Sequence, residues 1–457
     1  MTAEAKEIRV LDTNILIRDP TGFLDAFRGA DIVVPISSIE EIDDLKRSAS
    51  DHRSFSAREV SRRIENLRSA GSLSEGVRLP EGGTFRVYVR EKEGYTQEIL
   101  HRILKGEKRD NEIIADAFTL HRLSKKKVVL VSGDLNVRIK ANALGLRAEN
   151  YTHDEEGPGL HGGLKEITVS DPGILTMLSE NGRAFRPDEL GIEEDLYPNQ
   201  CLRFASDEEK RKTVLALYVR DRDSDRFLIK KVPKPKIDKR FRPRNDEQAL
   251  AYALGTHPDI KITSLVGKAG TGKTLMALKV AWDLLRSEDG NIEKIVVFRP
   301  ANELGNQIGS LPGTADEKFE PWKRPVLSGF EIIHREEGRE TSSRGHKIIS
   351  GYINAGTIEI LPINFIQGDT FHNCVIVVDE AQNYNNFETK MIVTRAGEGS
   401  KMILTGDLTQ VHGRHLDSRS SGLTKLIRVF QDHPIAGHLE LVKGERSELA
   451  TLAASLL

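Results

Sequence analysis

The stretch GKAGTGKT at residues 267–274 constrains this chain more than any other. It fits the pattern G-x-x-x-x-G-K-[ST], with Gly267, Gly272, Lys273 and Thr274 at the four fixed places. Before it, IKITSLV (260–266) has the apolar continuity of a buried strand; after it, LMALKVAWDLLR (275–286) has apolar residues at helical spacing. A strand, a glycine loop and a helix in that order can cradle phosphates. Small residues let backbone N–H groups turn inward around the anion, and the helix N-terminus adds a field favourable to negative charge. The expected nucleotide contacts are therefore Gly267, Lys268, Ala269, Gly270, Thr271, Gly272, Lys273 and Thr274. Lys273 is spaced to reach the β- and γ-phosphates of ATP, and the Thr274 hydroxyl to ligate Mg²⁺. A glycine turn that binds nothing would not require Gly-Lys-Thr at the helix start.

With 457 residues the chain has length for roughly two to four domains. A net charge of -2 excludes a uniformly basic nucleic-acid binder, so any such contact has to be local. Two cysteines, Cys201 and Cys374, make neither a disulfide framework nor a metal cluster and fit a reducing, cytoplasmic setting. The opening MTAEAKEIRV has no apolar signal core, and no later stretch approaches the ~20 apolar residues that span a bilayer, so no membrane partner is expected.

The first 150 residues alternate apolar strands with helical spacing, and acids fall at the junctions. IRVLDTNILI (8–17) ends its strand at Asp12; ADIVVPISSIEEIDDLK (30–46) gives a strand to Pro35, then a helix carrying Glu41. RDNEIIADAFTLHRL (109–123) opens a helix with Asp110, and KKKVVLVSGDLNVRIK (125–140) places Asp134 at a strand exit. Taken singly, each acid has an ordinary reading as a cap, a turn residue or a solvated side chain. Gathered at one sheet edge they repel unless a cation joins them, and such hard oxygen ligands suit Mg²⁺ or Mn²⁺. LDTN, IEEI, RDNEIIADA and VSGDLN in this order resemble the PIN-domain nucleases. The resemblance implies a metal-dependent ribonuclease with Asp12, Glu41, Asp110 and Asp134 as its metal-binding carboxylates, and with Asn14 and Asp116 close by.

Residues 151–163 turn to Asp, Glu, Gly, Pro and His, the composition of a linker, and His153 and His161 read there as surface loop. LKEITVS, NQCLRFA, TVLALYVRD and DRFLIKKV then suggest short strands, with RDSD (222–225) as a hairpin turn. Residues 210–244 carry 14 Lys and Arg against 4 Asp, a run that a nucleic-acid backbone would reward.

In the C-terminal half, Gln248 lies where helicases often place an adenine-reading glutamine, although a solvent-facing helix position competes. IEKIVVFRPA (292–301) delivers Arg299 and Pro300 at a strand end, and residues 302–327 look too rich in Gly and Pro for a regular element. CVIVVDEAQN (374–383) ends a buried strand in Asp379 and Glu380, suited to holding Mg²⁺ through water and to orienting the attacking water. KMILTGDLTQV (401–411) sets Gln410 to sense the γ-phosphate, and Arg446, with Arg395 as its rival, is the expected arginine finger.

GKAGTGKT, FRPA, GSLPG, PINFIQGDTF, VVDEAQN and LTGDLTQ in this order resemble the PhoH-like ATPases, which are similar to the core of superfamily one RNA helicases. The sequence after the glutamine motif departs from that family's usual pattern, which bears on Arg446. The expected architecture is α/β: a PIN-type parallel-sheet nuclease domain (1–150), a linker with a small β-rich basic module (151–241), and a RecA-like P-loop NTPase domain (242–457). The fusion implies ATP-dependent RNA unwinding coupled to RNA cleavage in a ring-shaped homo-oligomer, a hexamer being one option. Two rivals are an ATP-gated RNA-binding or signalling module with an inactive PIN domain, and a small-molecule kinase. Retention of all four acids disfavours the first, and the DEAQ and GDLTQ pair disfavours the second.

Overall fold

The computed structural model describes residues 7–20, 22–47, 52–89, 109–151, 160–180, 182–206, 213–233, 242–288, 291–300, 315–336, 342–363, 366, 368, 370–410 and 421–445. It forms two compact units, the first made of Met1–Gly157 with the short segments Asn385–Phe387 and Arg414–Ser420, the second of the remainder from Pro158.

The first unit is built on strands β1 (Glu7–Leu11), β2 (Asp31–Pro35), β3 (Val77–Arg78), β4 (Thr84–Tyr88), β5 (Lys127–Val131) and β6 (Arg147–Glu149). Their order across the sheet is β3-β4-β2-β1-β5-β6, with only β3 antiparallel to its neighbour. Strands buried on both faces need continuous apolar runs, and successive residues of β1 supply two cores. Val10 packs with Val33, Ile113 and Leu130 on one side, while Leu11 packs with Ile32, Val34 and Phe85 on the other. Helices α1 (Thr13–Arg18), α2 (Ile36–Arg47), α3 (His52–Ala70), α4 (Arg109–Leu123) and α5 (Leu135–Ala143) cover the two faces. Strand β1 lies at the centre of the sheet with β5 beside it, and their C-terminal ends deliver Asp12 and Ser132 to one edge.

The second unit starts with a five-stranded sheet of β7 (Leu164–Val169), β8 (Ala184–Phe185), β9 (Cys201–Ser206), β10 (Thr213–Arg220) and β11 (Phe227–Lys231), ordered β7-β9-β10-β11-β8. The turn at residues 222–225 does join an antiparallel hairpin, β10 to β11, with Asp225 at a positive φ of 56°. Strand β8 and helix α6 (Pro172–Ser179) have no counterpart in the sequence reading. Nor does this module stand alone: Cys201, Leu217 and Val219 share one buried cluster with Leu250, Leu254 and Leu278 of the NTPase. Arg222 adds a two-pronged ion pair to Asp259, at 2.5 and 3.1 Å.

The NTPase sheet is wholly parallel. It contains β12 (Ile262–Gly267), β13 (Lys294–Arg299), β14 (Ile358–Pro362), β15 (Cys374–Val378), β16 (Lys401–Gly406) and β17 (Ala436–Leu441) in the order β14-β13-β15-β16-β12-β17. Helices α7 (Asp246–Thr256), α8 (Lys273–Leu285), α9 (Ala315–Glu336), α10 (Ser342–Asn354), α11 (Asn386–Val393) and α12 (Gly422–Phe430) accompany it. Helix α9 corrects the expectation of an irregular stretch to residue 327. Pro321 and Pro325 remove backbone donors and weaken its ladder. Trp322, Val326, Phe330 and Ile333 at helical spacing nevertheless bury a continuous face in the core, and that packing prevails. Among the described residues no helix is long and apolar enough to cross a membrane.

His161 is not a surface-loop residue. Its ring stacks on Tyr197 at 4.3 Å and meets His438 of β17 edge-on at 5.7 Å. Beside them Gly163, at φ 77°, sits where a Cβ would come within 2.0 Å of the His438 carbonyl oxygen, and the Asn199 amide donates to the carbonyls of Pro434 and Ala436. Burial, together with His161, pushes His438 down to about 3 from its ordinary 6.5. The unfolded chain therefore takes up a proton near pH 6.5 that the fold refuses. The contribution of this joint is intact above pH 6.5 and is lost progressively as pH falls toward 3, at up to ~1.4 kcal/mol per pH unit. Replacing the ring by an untitratable one, His438→Phe, should flatten the decline of Tm between pH 6.5 and 4; an unchanged acid limb in a thermal melt series would count against this account.

Candidate active sites

The glycine loop between β12 and α8 has the geometry its sequence requires. Gly267, Gly270 and Gly272 have φ of 146°, 87° and 91°. A Cβ on Gly267 would lie 2.1 Å from the Leu441 carbonyl oxygen, so glycine is enforced there by space as well as by φ, while at Gly272 the positive φ is the constraint and the nearest atom, Gln248 Nε2 at 2.8 Å, is a side-chain end. The Thr271 hydroxyl donates to the Lys268 carbonyl at 3.0 Å and staples the loop internally. Lys273 Nζ reaches back into the cradle and donates to the carbonyls of Gly267 (2.6 Å) and Lys268 (3.0 Å). Lys268, Ala269 and Gly270 form the outer rim of the loop.

Asp379 follows β15 and is held in the ladder by its own N–H, which donates to the Phe298 carbonyl at 2.9 Å. Its Oδ1 accepts the hydroxyls of Thr274 (2.7 Å) and Thr405 (2.8 Å), and its Oδ2 faces Arg299 Nε at 3.1 Å. The interposed strand β16 provides Thr405, a contact that no linear motif announces. Glu380 comes next in a left-handed backbone conformation, φ 52° and ψ 40°, uncommon for a residue with a side chain. Gln382 Nε2 donates to Glu380 Oε2 at 2.6 Å and to the Gln410 carbonyl at 3.3 Å, and its Oε1 accepts from Asp407 N–H at 3.1 Å. Wholly buried, Gln382 ties the Asp379–Glu380 turn to the strand end that carries Gln410, whose own side chain is exposed. The last residue of the DEAQ run was the sequence signal for this tie.

Gln248 is buried rather than solvent-facing. Its Nε2 donates to the Thr271 carbonyl at 3.1 Å and its Oε1 accepts from Arg244 N–H at 2.9 Å, so in this conformation the amide braces the phosphate loop. An adenine read by Gln248 would have to take over one of these partners. The segment after β17 closes on the same loop: Glu445 N–H donates to the Gly270 carbonyl (3.0 Å), its carboxylate accepts from the Asn245 amide (2.7 Å), and Glu247 accepts from Val442 and Lys443 N–H. Arg446 lies outside the described residues, as do Lys210, Arg211, Lys212, Lys234, Lys236, Lys239 and Arg240 of the basic run. Within the described part of that run, Arg220 pairs with Asp225, Arg222 with Asp259 and Lys230 with Asp221.

In the first unit Asp12 continues the β1 ladder, its N–H donating to the Val131 carbonyl at 3.0 Å, and its buried Oδ2 accepts from Ser132 Oγ and from Asn14 Nδ2, both at 2.5 Å. Asn14 Oδ1 in turn accepts from Gly133 N–H (2.9 Å), so Asn14 and Ser132 knit the ends of β1 and β5 together. Ser132 is a site residue the sequence reading passed over; the signal was its place two residues before Asp134. Burial, with Asp110 and Glu41 adding like charge, pushes Asp12 up to about 7, against the opposing pull of the Ser132 hydroxyl. Asp134 Oδ1 caps α5 through Asn136 N–H (2.6 Å) and Val137 N–H (3.4 Å). Asp116 is wholly buried in α4. Among the described residues no three acids or histidines are close enough together to hold an ion as they stand. The chemistry of Asp12 is compatible with one: a buried carboxylate that feels the like charge of Asp110 and Glu41 is of the kind a hard divalent cation would relieve.

A parallel sheet with a glycine cradle at one strand and an acid pair two strands away defines the class of the second unit, a P-loop nucleoside-triphosphate hydrolase. It follows a PIN-type α/β unit with carboxylates at its sheet edge. A family model described as PhoH-like protein matches residues 240–453, and one described as PIN domain matches residues 9–152. The chain is 35% identical to protein PhoH2 of Bacillus subtilis (strain 168) over 99% of its own length and 100% of that protein. It is 31% identical to protein PhoH2 of Thermobispora bispora, covering 98% and 96%, and 29% identical to protein PhoH2 of Mycolicibacterium smegmatis, covering 100% and 98%. The chain belongs to the PhoH2 family, in which a PIN domain precedes a PhoH-like domain.

Proposed function

We propose that this protein is an ATP-dependent RNA helicase coupled to a metal-dependent endoribonuclease. The observation that carries the reading is the convergence at one sheet edge of Lys273, Thr274, Asp379, Glu380 and Gln382, each held by a partner suited to its role. Loop N–H groups and Lys273 bind the triphosphate, with Lys273 exchanging the Gly267 and Lys268 carbonyls for phosphate oxygens. Thr274 and Asp379 would hold Mg²⁺, which supplies charge neutralisation on the phosphates. Glu380, steered by Gln382, orients the attacking water, and Gln410 reports the γ-phosphate to the rest of the domain. In the PIN domain Asp12, Glu41, Asp110 and Asp134 would hold Mg²⁺ or Mn²⁺, which supplies the charge stabilisation that phosphodiester cleavage needs. Asn14 and Ser132 keep Asp12 oriented there. The functional assembly in this reading is a homo-oligomeric ring with RNA passing from motor to nuclease, Arg446 acting across subunits, and Gln248 reading adenine.

The test is an end-labelled RNA duplex with a single-stranded tail, incubated with the full-length protein, ATP and Mg²⁺ or Mn²⁺. RNA should raise ATP turnover, and shortened strands should accumulate; Lys273→Ala should abolish turnover and strand displacement together. If RNA neither stimulates turnover nor is displaced, the motor half of the reading fails. If displacement occurs without any shortened product, the ATP-gated RNA-binding alternative replaces the nuclease half.

A further inference from the structure

The ATP site and helix α9 meet in one buried side chain. Arg299 closes β13, beside the strand that ends at Asp379, and the two residues are 5% and 2% exposed. Its Nε stands 3.1 Å from Asp379 Oδ2, while its terminal nitrogen donates to the Trp322 carbonyl of α9 at 2.7 Å. Trp322 Nε1 returns a hydrogen bond to the Pro300 carbonyl at 3.1 Å. Helix α9 also presses on α8, the helix of the phosphate loop: Trp282 and Phe330 rings are 5.9 Å apart, and a Cβ on Gly329 would come within 2.6 Å of Leu278.

We propose that Arg299 is a positioning residue that holds Asp379 and relays nucleotide occupancy to α9. The proposal rests on the ATPase reading above. With both hydroxyl donors on Oδ1, the other oxygen of Asp379 faces the guanidinium charge of Arg299 at 3.1 Å as an ion pair without an aligned hydrogen bond, while the same planar group donates to the Trp322 carbonyl. A lysine ammonium keeps the charge but loses that fixed fork. Any shift of Asp379 toward a bound magnesium nucleotide therefore alters the force on the Trp322 carbonyl. An anchor that served only the fold would be indifferent to the nucleotide.

The experiment is amide hydrogen exchange over residues 315–336 of the full-length protein, with and without Mg²⁺ and a non-hydrolysable ATP analogue, alongside affinity for a fluorescent ATP analogue. In the wild type, nucleotide should change exchange in α9. At saturating nucleotide, Arg299→Lys should show an α9 response at least about fivefold smaller than wild type, the low end of a usual coupling. Trp322→Phe, which removes the indole donor to the Pro300 carbonyl and some buried ring volume while leaving the Trp322 carbonyl in place, loosens the far side of this joint and should reduce the same response. A full wild-type response in Arg299→Lys overturns the proposal, as does a wild type that binds nucleotide with no change in α9. Should Arg299→Lys show no cooperative melt, Trp322→Phe decides, and an undiminished response there overturns it. A wild type that binds no nucleotide sinks the ATPase reading itself, a distinct result.

Discussion

Glu380→Gln should leave nucleotide binding within a few-fold of wild type and lower ATP turnover by ~100- to 10,000-fold, the range for loss of a positioned general base. A non-glycine residue in the left-handed region costs about 1 kcal/mol or more, and such strain persists only where surrounding structure over-determines it. Here Asp379 before it is fixed by two hydroxyls and Arg299, and the wholly buried Gln382 after it is fixed by Asp407 N–H. Together they force the Glu380 carboxylate to leave the strand end toward Gln382 Nε2, 2.6 Å away. Glutamine fills the same volume but offers no carboxylate to accept a proton from water, so chemistry is lost and binding is not. Glu380→Gly separates strain from chemistry: it should lose turnover equally while gaining up to ~1 kcal/mol of stability, since glycine adopts this backbone freely. Single-turnover kinetics and a thermal melt of the two variants check both halves. Turnover above a tenth of wild type in Glu380→Gln would remove Glu380 from the chemistry.

The parts of these sites that could be read from sequence are those whose partners lie nearby in the chain. The phosphate loop was legible because strand, glycines and helix are contiguous, and φ values of 146°, 87° and 91° at Gly267, Gly270 and Gly272 are the conformations the motif exists to permit. Asp379 and Glu380 were legible as acids ending an apolar strand. Thr405, Arg299 and Gln382 in their present roles were not, because each depends on β16 and β13 flanking β15, an adjacency fixed by sheet order rather than by spacing. The same holds for His161, whose partner His438 enters from the last strand, and for Gln248, whose burial follows from α7 lying against the phosphate loop. At Asp134 the ordinary reading holds: Oδ1 caps α5, which also fixes the carboxylate at the strand exit. Proline content misjudged α9, where a buried apolar face outweighed two missing donors.

Asp12→Asn should abolish RNA cleavage, by ~100-fold or more if the carboxylate holds the metal, without lowering stability. Asp12 is 3% exposed and accepts two hydrogen bonds, yet burial and the charges of Asp110 and Glu41 work against its ionised form. A residue kept only for the fold would be better as an amide, which retains an acceptor for Ser132 and adds no charge. The neutral isostere is therefore expected to melt at the wild-type temperature or above, as is common where a functional side chain sits in a costly environment. Mn²⁺ should separate the two proteins further. An ion that binds only the folded carboxylate set raises stability with its concentration, by ~2.7 kcal/mol at a hundredfold excess over its Kd. That increment should appear in the wild type and be absent in Asp12→Asn, while ATP turnover, seated in the other unit, stays unchanged. A Mn²⁺-dependent rise of Tm equal in both proteins, or a variant that still cleaves, would place the metal elsewhere.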